Sequence, residues 1–373
     1  MSRLLVACGG SGDLVTALAL AGQDPEPVTV LAAPLWERFA LDPRPGPRGP
    51  ADLAGLTAGP AGGIITAHTR LPGGYSPLPR LASSVRIPLV HLDLGEGVVG
   101  LRGQLERIVA CYGVRTVELV DTGGDALARG DEPGLVSPAL DALLLAAVAP
   151  LACRTRLHCT GLGVDGELTE AELAALTADI PAESVRGLAA DRAAAVYRRY
   201  SWMPSEASLI TLLAAGGLRG TVDLSRDCPL VRVDGATALV HSFPLRPVAE
   251  RSRFATAVAA STSFADADRC LRTAGARSEY RSELDRAAAP GGPQPDVSPD
   301  LACLVEQAGP RGDHLSVRRI ARAAGLNSRA GHLWLERLLR RSAGAGYRRP
   351  LLPTAVSPRP AEPVPTVTAQ ERP

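Results

Sequence analysis

The sequence lacks lysine altogether: every one of its 40 basic residues is arginine. Without lysine the chain has neither a Walker A phosphate loop nor a lysine Schiff base, because both depend on the lysine amino group. Aromatic residues make up only 3%, which argues against a platform that stacks single-stranded nucleic-acid bases. The net charge of +1 excludes a chain that is basic or acidic throughout. Hydrophobic residues make up 46% of the 373 residues, which is enough for the core of one large domain or two smaller ones.

Cysteine and long apolar runs are also scarce. The seven cysteines are dispersed and form no Cys-x-x-Cys pair, which is typical of reduced, mostly buried thiols in a cytoplasmic protein. The apolar run at the start of the chain is too short for a signal peptide, and Ala139–Leu151 is too short to span a bilayer. We therefore expect a cytoplasmic protein without a membrane partner.

The first 288 residues predict an α/β fold in which strands alternate with helices. Residues 42–63, rich in proline and glycine, predict a long loop. The predicted strands are Leu4–Cys8, Val28–Ala33, Ile87–Leu94, Val114–Val120, Arg154–Cys159, Gly220–Leu224 and Ala238–Phe243. The predicted helices are Leu14–Ala21, Leu101–Tyr112, Pro138–Pro150, one that starts at a capping box on Thr169, Val185–Tyr200, Ser205–Gly216 and Ser263–Ala274. This order indicates a mostly parallel, Rossmann-like sheet in a body of residues 1–288.

The composition changes after this body. Residues 289–299 predict a linker, residues 300–349 a small basic helical module, and residues 350–373 a disordered, proline-rich tail. The glycine turn inside the module resembles that of a helix-turn-helix. The predicted helices of the module are Leu301–Ala308, Val317–Ala324 and Arg329–Arg341.

Three of the predicted strands end in glycine and a carboxylate, in the loops Gly9–Asp13, Asp121–Asp125 and Gly161–Glu167. In an open parallel sheet, ligands bind beyond the carboxyl ends of the strands, so we expect these loops to meet at one edge. Glycine lets the backbone approach a ligand closely. Carboxylates hold a hard cation such as Mg²⁺, bind ribose hydroxyls, or act as acid or base. Ordinary turn formation is the alternative explanation for each loop.

The candidate site residues come from these loops and from the segment after the second strand, which could fold over the same edge. The candidates for binding a phosphorylated or nucleotide-like metabolite are Gly9, Gly10, Ser11, Gly12, Asp13, Arg38, Gly123, Gly124, Asp165 and Glu167. The catalytic candidates are Asp121, Asp125 and Glu132. Asp121 and Asp125 are also the candidate ligands of Mg²⁺, the only cofactor that the sequence suggests.

Named motifs do not account for the first loop. Residues 10–15 have valine where a dinucleotide fingerprint has its third glycine. Asp13 replaces the last glycine of a nucleophile elbow. The histidines lack the spacing of a metal site, and we expect His91, His158 and His241 to be hydrogen-bonded core residues.

Four segments carry a resemblance to a known family: residues 36–48, residues 120–127, residues 130–142 and residues 161–168. Their most specific part is the run Gly-Gly-Asp, then Glu-Pro-Gly-Leu, then Ser-Pro. With these segments, over about residues 1–288, the chain resembles the domain-of-unknown-function 1152 family of actinobacteria and archaea. The resemblance implies an α/β protein and supplies no reaction. It favours the same loops as the strand-end argument, and it leaves the basic module outside the family's body.

Three functions stay open on this evidence. The first is an enzyme for a phosphorylated or nucleotide-like metabolite, in a setting such as specialised metabolite biosynthesis. The second is a ligand-sensing regulator whose module binds nucleic acid, with Arg329 and His332 towards bases and Arg337 and Arg340 towards phosphates. Because one such module binds weakly, a homo-oligomer is expected in that case. The third is a non-catalytic scaffold partner.

Overall fold

A computed structural model describes residues 2–225, 228–288, 300–326, 328–342 and 346–354. Strands and helices alternate through most of these residues. The strands are β1 (Ser2–Ala7), β2 (Val28–Pro34), β3 (Thr57–Gly59), β4 (Gly62–Ile65), β5 (Leu89–Leu92), β6 (Val114–Thr122), β7 (Arg154–Thr160), β8 (Ser184–Gly187), β9 (Gly220–Asp223), β10 (Val231–Val233), β11 (Leu239–Pro244), β12 (His314–Ser316) and β13 (Leu351–Pro353). The helices are α1 (Asp13–Ala21), α2 (Leu78–Ala82), α3 (Gly97–Tyr112), α4 (Ala139–Val148), α5 (Glu170–Asp179), α6 (Ala190–Tyr200), α7 (Glu206–Ala215), α8 (Leu245–Arg251), α9 (Arg253–Val258), α10 (Phe264–Thr273), α11 (Glu279–Ala288), α12 (Leu301–Ala308), α13 (Val317–Ala323) and α14 (Arg329–Ser342).

The main sheet has nine strands in the order β3-β4-β5-β2-β1-β6-β7-β11-β8. The five central strands, from β5 to β7, pair in parallel. The outer strands pair antiparallel on both sides. The chain runs from β1 through β2 to β5 on one side and continues with β6 and β7 on the other. This reversal between β1 and β6 is the switch point of a Rossmann-like sheet, and the predicted α/β class is confirmed.

Apolar side chains cover both faces of the sheet, because the parallel strands are buried along most of their length. In β1, Leu4 and Val6 pack into a cluster with α3, α4 and α9 on one face. Leu5 and Ala7 pack with α1, α6 and α7 on the other face. This alternation is the two-residue period of a strand. Helices occupy both faces, so the strand ends are left to bind a ligand.

Two predicted elements are wrong, and both lie at sheet edges. Residues 42–63 are not all loop, because β3 and the start of β4 form a hairpin beside β5. The predicted helix Val185–Tyr200 begins instead as β8, which pairs with β11, and helix α6 starts only at Ala190. Edge strands depend on their pairing partner more than on their own pattern. The pattern also does not predict α2, α8, α9, α11, β10, β12 or β13.

A second sheet, of order β10-β9-β12-β13, connects residues 300–354 to the body. Strand β9 pairs in parallel with β12, so the two regions share backbone hydrogen bonds. Helices α12, α13 and α14 lie where the sequence predicts them. Leu351–Pro353, which the sequence places in the tail, form β13 instead. The predicted linker, residues 289–299, and residues 355–373 lie outside the described residues.

Two smaller predictions concern burial. Among the seven cysteines only Cys8 and Cys159 are buried, while Cys111 and Cys303 are exposed, so the prediction of mostly buried thiols is wrong. In the part of the chain that the structure describes, no helix combines the length and the apolar character needed to cross a membrane.

Candidate functional site

The three glycine and carboxylate loops meet at the carboxyl edge of β1, β6 and β7. A methyl group placed on Gly9, after β1, would lie 3.9 Å from Oδ1 of Asp121, near the carboxyl end of β6, and 3.9 Å from Oδ1 of Asp141. The amide of Gly163, after β7, donates a hydrogen bond of 2.6 Å to the carbonyl of Gly123. The prediction that these distant loops share one edge of the sheet is confirmed.

Each loop orients its carboxylate with its own backbone amides, which is the local reason for the pattern of glycine and aspartate. The hydrogen bonds are Gly9 amide to Asp13 Oδ2 (2.6 Å), Gly124 amide to Asp121 Oδ2 (2.8 Å) and Glu167 amide to Asp165 Oδ1 (3.0 Å). Gly123 has a φ of +139°, and a methyl group on it would collide with the Asp165 carboxylate. The second and third loops can therefore meet only because residue 123 is glycine.

We expect Gly123→Ala to lower the free energy of unfolding by about 2–3 kcal/mol, from backbone strain and the collision with Asp165. The matched control is Gly73→Ala. Gly73 also has a positive φ, of +70°, but a methyl group there meets nothing within 4 Å, so strain alone costs about 1 kcal/mol. Urea denaturation measures both losses. Equal losses in the two variants would show that the contact with Asp165 is unimportant.

Asp141, on α4, is the central site residue that the sequence analysis did not select. It is 3% exposed, and neither of its two buried oxygens has an N–H or O–H donor among the described residues. The thiol of Cys8, a weak donor, is close enough to lower its pKa. Oxygens of Asp121, Asp125 and Asp141 lie within 4.8 Å of one another. The sequence feature that could have identified Asp141 is that it is the only acid in a helix whose other residues are all apolar.

Three oxygens at this spacing fit a hard divalent cation. Mg²⁺ and Ca²⁺ take carboxylate oxygens as ligands, and the three side chains approach from β6, from the turn after it and from α4. A buried carboxylate without a partner is costly. A cation would remove that cost for Asp141.

Burial and mutual repulsion raise the pKa of the acids in this cluster. Burial is the largest cause in each case. It raises the pKa of Asp121 to about 6 and, together with the charge of Glu167, that of Asp165 to about 7. The pKa values of Asp13, Asp125 and Asp141 lie well above the ordinary value. In the absence of a cation, several of these groups therefore share protons at neutral pH.

Two acids of the cluster are partly exposed. Asp125 and Asp165 keep part of their surface exposed, although burial is the largest cause of their raised pKa values. Glu279, on α11, is similarly half-buried. Its carboxylate accepts a hydrogen bond of 3.0 Å from the amide of Ala139, at the start of α4.

Glu279 provides a test of pH dependence. Burial raises its pKa from 4.5 to about 8, so the folded chain holds a proton that the unfolded chain releases. Its contribution to stability is complete below pH 4.5 and is lost as the pH rises through 8. Because glutamine does not ionise, Glu279→Gln should lose less stability than the unmodified chain when the pH rises from 5 to 8. We expect the difference in the free energy of unfolding to be about 1–2 kcal/mol, a value reduced for the partial exposure of the side chain.

Urea denaturation at the two pH values measures this effect in the cation-free chain. The control is Glu250→Gln, since Glu250 is exposed and its side chain has no hydrogen bond or ion pair with the described residues. Parallel pH profiles of Glu279→Gln and the unmodified chain would contradict the assignment.

Arg38 lies beside the first loop. The buried carboxylate of its neighbour Glu37 accepts hydrogen bonds of 2.8 Å from the hydroxyls of Ser11 and Ser76, which connects the first loop to the segment after β2. Burial raises the pKa of Glu37 to about 7. The guanidinium of Arg38 is exposed and makes no hydrogen bond or ion pair within the described ranges.

Two predicted acids have structural partners. Glu132 accepts hydrogen bonds from the amides of residues 129–131, which accounts for it without a ligand. Glu167 accepts from the amides of Val136 and Ser137 and holds the segment that leads into α4. Its charge also raises the pKa of Asp165, so Glu167 belongs to the border of the cluster.

The residues predicted to contact nucleic acid lie on α14. The guanidinium of Arg329 is 3.7 Å from the centre of the Tyr75 ring, in the body. His332 is half-buried, and burial lowers its pKa, whereas Arg337 and Arg340 are exposed. The helix end that a helix-turn-helix would insert into a groove thus contacts the body here. Nucleic-acid binding stays a prediction.

Two other features lie outside the cluster. His91 and His158 are buried and hydrogen-bonded, as predicted. His241 is half-buried and stacks on Phe243 without a hydrogen bond to any described residue, so the prediction for His241 is wrong.

A separate small cavity of about 140 Å³ lies between residues 45–49 and the rings of Phe264 and Tyr280. None of the clustered carboxylates lines it.

The fold and the site together define a class: Rossmann-like α/β proteins with a carboxylate cluster at the switch point of the sheet. A family model described as "Protein of unknown function (DUF1152)" matches residues 4–287. The chain belongs to this family, as its motifs predicted. A comparison with curated proteins gave no match, and a comparison with solved structures gave none either. Helices α12, α13 and α14 lie beyond the matched residues.

Proposed function

We propose that this chain is an enzyme that binds a divalent cation and acts on a phosphorylated or nucleotide-like metabolite at the edge of its parallel sheet. One observation carries the proposal. The two buried oxygens of Asp141, which have no N–H or O–H donor among the described residues, adjoin the carboxylates of Asp121 and Asp125 at the switch point. Without a cation, the three acids can coexist at neutral pH only by holding protons, whereas a cation gives all three a partner in their ionised form.

The residues around the cluster support this role. A divalent cation at such a site polarises a phosphoryl oxygen of the substrate. The glycine-rich first loop lets the ligand approach the backbone. Asp165 is reachable from solvent and has a pKa near 7, which suits a general base at neutral pH. Arg38 presents an unpaired guanidinium to an anionic group.

The test is titration of the full chain with Mn²⁺, followed by calorimetry and by the electron paramagnetic resonance of free Mn²⁺. We expect saturable binding that Mg²⁺ competes for, and a stability gain of about 2.7 kcal/mol at a hundredfold excess over Kd. Asp125→Asn should weaken binding about tenfold or more because a charged ligand is lost.

The control is Asp131→Asn, which changes an exposed acid six positions further on and should leave Mn²⁺ affinity unchanged. Absence of binding to the unmodified chain, or equal affinity in both variants, would refute the cation site.

A further inference from the structure

We propose that the segment outside the family match completes the ligand site: Arg318, on α13, and Arg38, after β2, form a two-arginine clamp for a phosphate group. This inference rests on the proposed function and deepens it, because it names the charged group of the substrate. It also assigns a role in ligand binding to residues 300–354.

Arg318 reaches the first loop through α7. Its amide donates a hydrogen bond of 2.8 Å to Oε1 of Glu206, and its Nε lies 3.1 Å from Oε2 of the same carboxylate. Glu206 is the first residue of α7, and this end of the helix rests on the glycine loop. The Ser208 hydroxyl donates to the Gly12 carbonyl at 3.0 Å, and a methyl group on Gly12 would come within 2.5 Å of the Ser205 side chain. Arg318 is therefore held beside the loop by contacts that need the folded C-terminal segment.

Arg38 flanks the same loop through Glu37, whose carboxylate binds the Ser11 hydroxyl. Ser11 and Gly12 are adjacent in the loop, so the contacts of Glu37 with Ser11 and of α7 with Gly12 place both arginines beside the same turn. In agreement with this placement, the charge of Arg318 is the largest cause that lowers the pKa of Arg38, to about 10. Glu206 and Glu167 act in the opposite direction, but the Arg38 side chain bonds to neither. A cation held beside another cation without a direct partner is typical of a site that binds an anion.

The geometry of arginine favours phosphate. Each planar guanidinium offers paired N–H donors that match two oxygens of a phosphate. The neighbouring carboxylates would repel a free phosphate but not one that is coordinated to a cation. We place a diphosphate or phosphate ester between two positive groups. The cation at Asp121, Asp125 and Asp141 would bind it on one side, and the two arginines would bind it on the other.

The experiment uses inorganic pyrophosphate as the probe, titrated calorimetrically into the full chain saturated with Mn²⁺. We expect Arg38→Gln and Arg318→Gln each to weaken pyrophosphate binding about tenfold or more, since each removes charged hydrogen bonds. The affinity for Mn²⁺ alone should not change. Arg107→Gln is the control, because Arg107 is an exposed arginine on α3 whose side chain has no ion pair with the described residues.

The outcomes separate the two proposals. If the unmodified chain does not bind Mn²⁺, the proposed function fails. If Mn²⁺ binds but pyrophosphate does not, or binds the unmodified chain and both variants equally, the clamp is refuted. If only Arg38→Gln weakens binding, the contribution of the C-terminal segment is refuted. Arg318→Gln also removes the side-chain ion pair with Glu206, although the backbone amide of residue 318 keeps its hydrogen bond to that carboxylate. Arg38→Gln breaks no hydrogen bond or ion pair among the described residues, so it keeps the result interpretable if Arg318→Gln destabilises the fold.

Discussion

Asp141→Asn should strongly weaken divalent-cation binding and, in the same protein, stabilise the cation-free chain. The loss of affinity is expected to reach about 100-fold, because this variant removes a direct ligand and outer-shell changes alone weaken metal sites 10–100-fold. The cation-free chain should gain about 1 kcal/mol. The reason is that the asparagine amide can donate a hydrogen bond to the neighbouring Asp121 carboxylate directly, whereas Asp141 must first take up a proton, because burial and the charge of Asp121 oppose its ionised form.

The matched control is Glu118→Gln, which changes a buried acid that is paired with an arginine. Glu118 lies 3.0 Å from the Arg3 guanidinium and 3.6 Å from His158, so its removal should cost about 3 kcal/mol, as for other buried pairs. It should leave Mn²⁺ affinity unchanged. Calorimetry measures the Mn²⁺ affinity of each variant, and urea denaturation measures its free energy of unfolding. A destabilised Asp141→Asn that still binds Mn²⁺ normally would show that Asp141 has a structural role only.

Asp223→Ala should produce the largest loss of stability, about 3–5 kcal/mol, because it leaves buried charge without a partner. Asp223 is fully buried at the end of β9. Arg311 forms two hydrogen bonds with its carboxylate, at 3.1 and 2.6 Å, and the nearly buried Arg319 lies 3.5 Å away. These contacts hold the segment that carries α13, so the variant should also weaken pyrophosphate binding.

Asp179→Ala is the control for this variant. Asp179 also pairs with two arginines, at 3.2 and 3.1 Å, but its side chain is 47% exposed. Exposed pairs contribute about 0–1 kcal/mol, so the loss should be small. The free energy of unfolding in urea measures both variants, and similar losses would mean that the junction between β9 and β12 depends little on the buried acid.

The sequence alone determined the parts of the molecule that depend on neighbours in the chain. The apolar runs of β1, β6 and β7 and the glycine and aspartate after each of them predict both the strand and the turn. The capping box at Thr169 predicts the start of α5, and its two reciprocal hydrogen bonds are present. The motifs also assigned the family. A strand period, a helix cap and a glycine turn are all local, and the residues that specify them are adjacent.

Only the tertiary structure decided which distant residues complete the site. Asp141 is an acid in an apolar helix until the packing of α4 brings it beside Asp121. Arg318 is an ordinary arginine on a basic helix until the pairing of β9 with β12 and the contact with Glu206 place it beside the first loop. The physical reason is the same in each case: strand pairing and helix packing join side chains far apart in the chain, and no local pattern encodes the partner. Charge and burial at the site arise from those contacts.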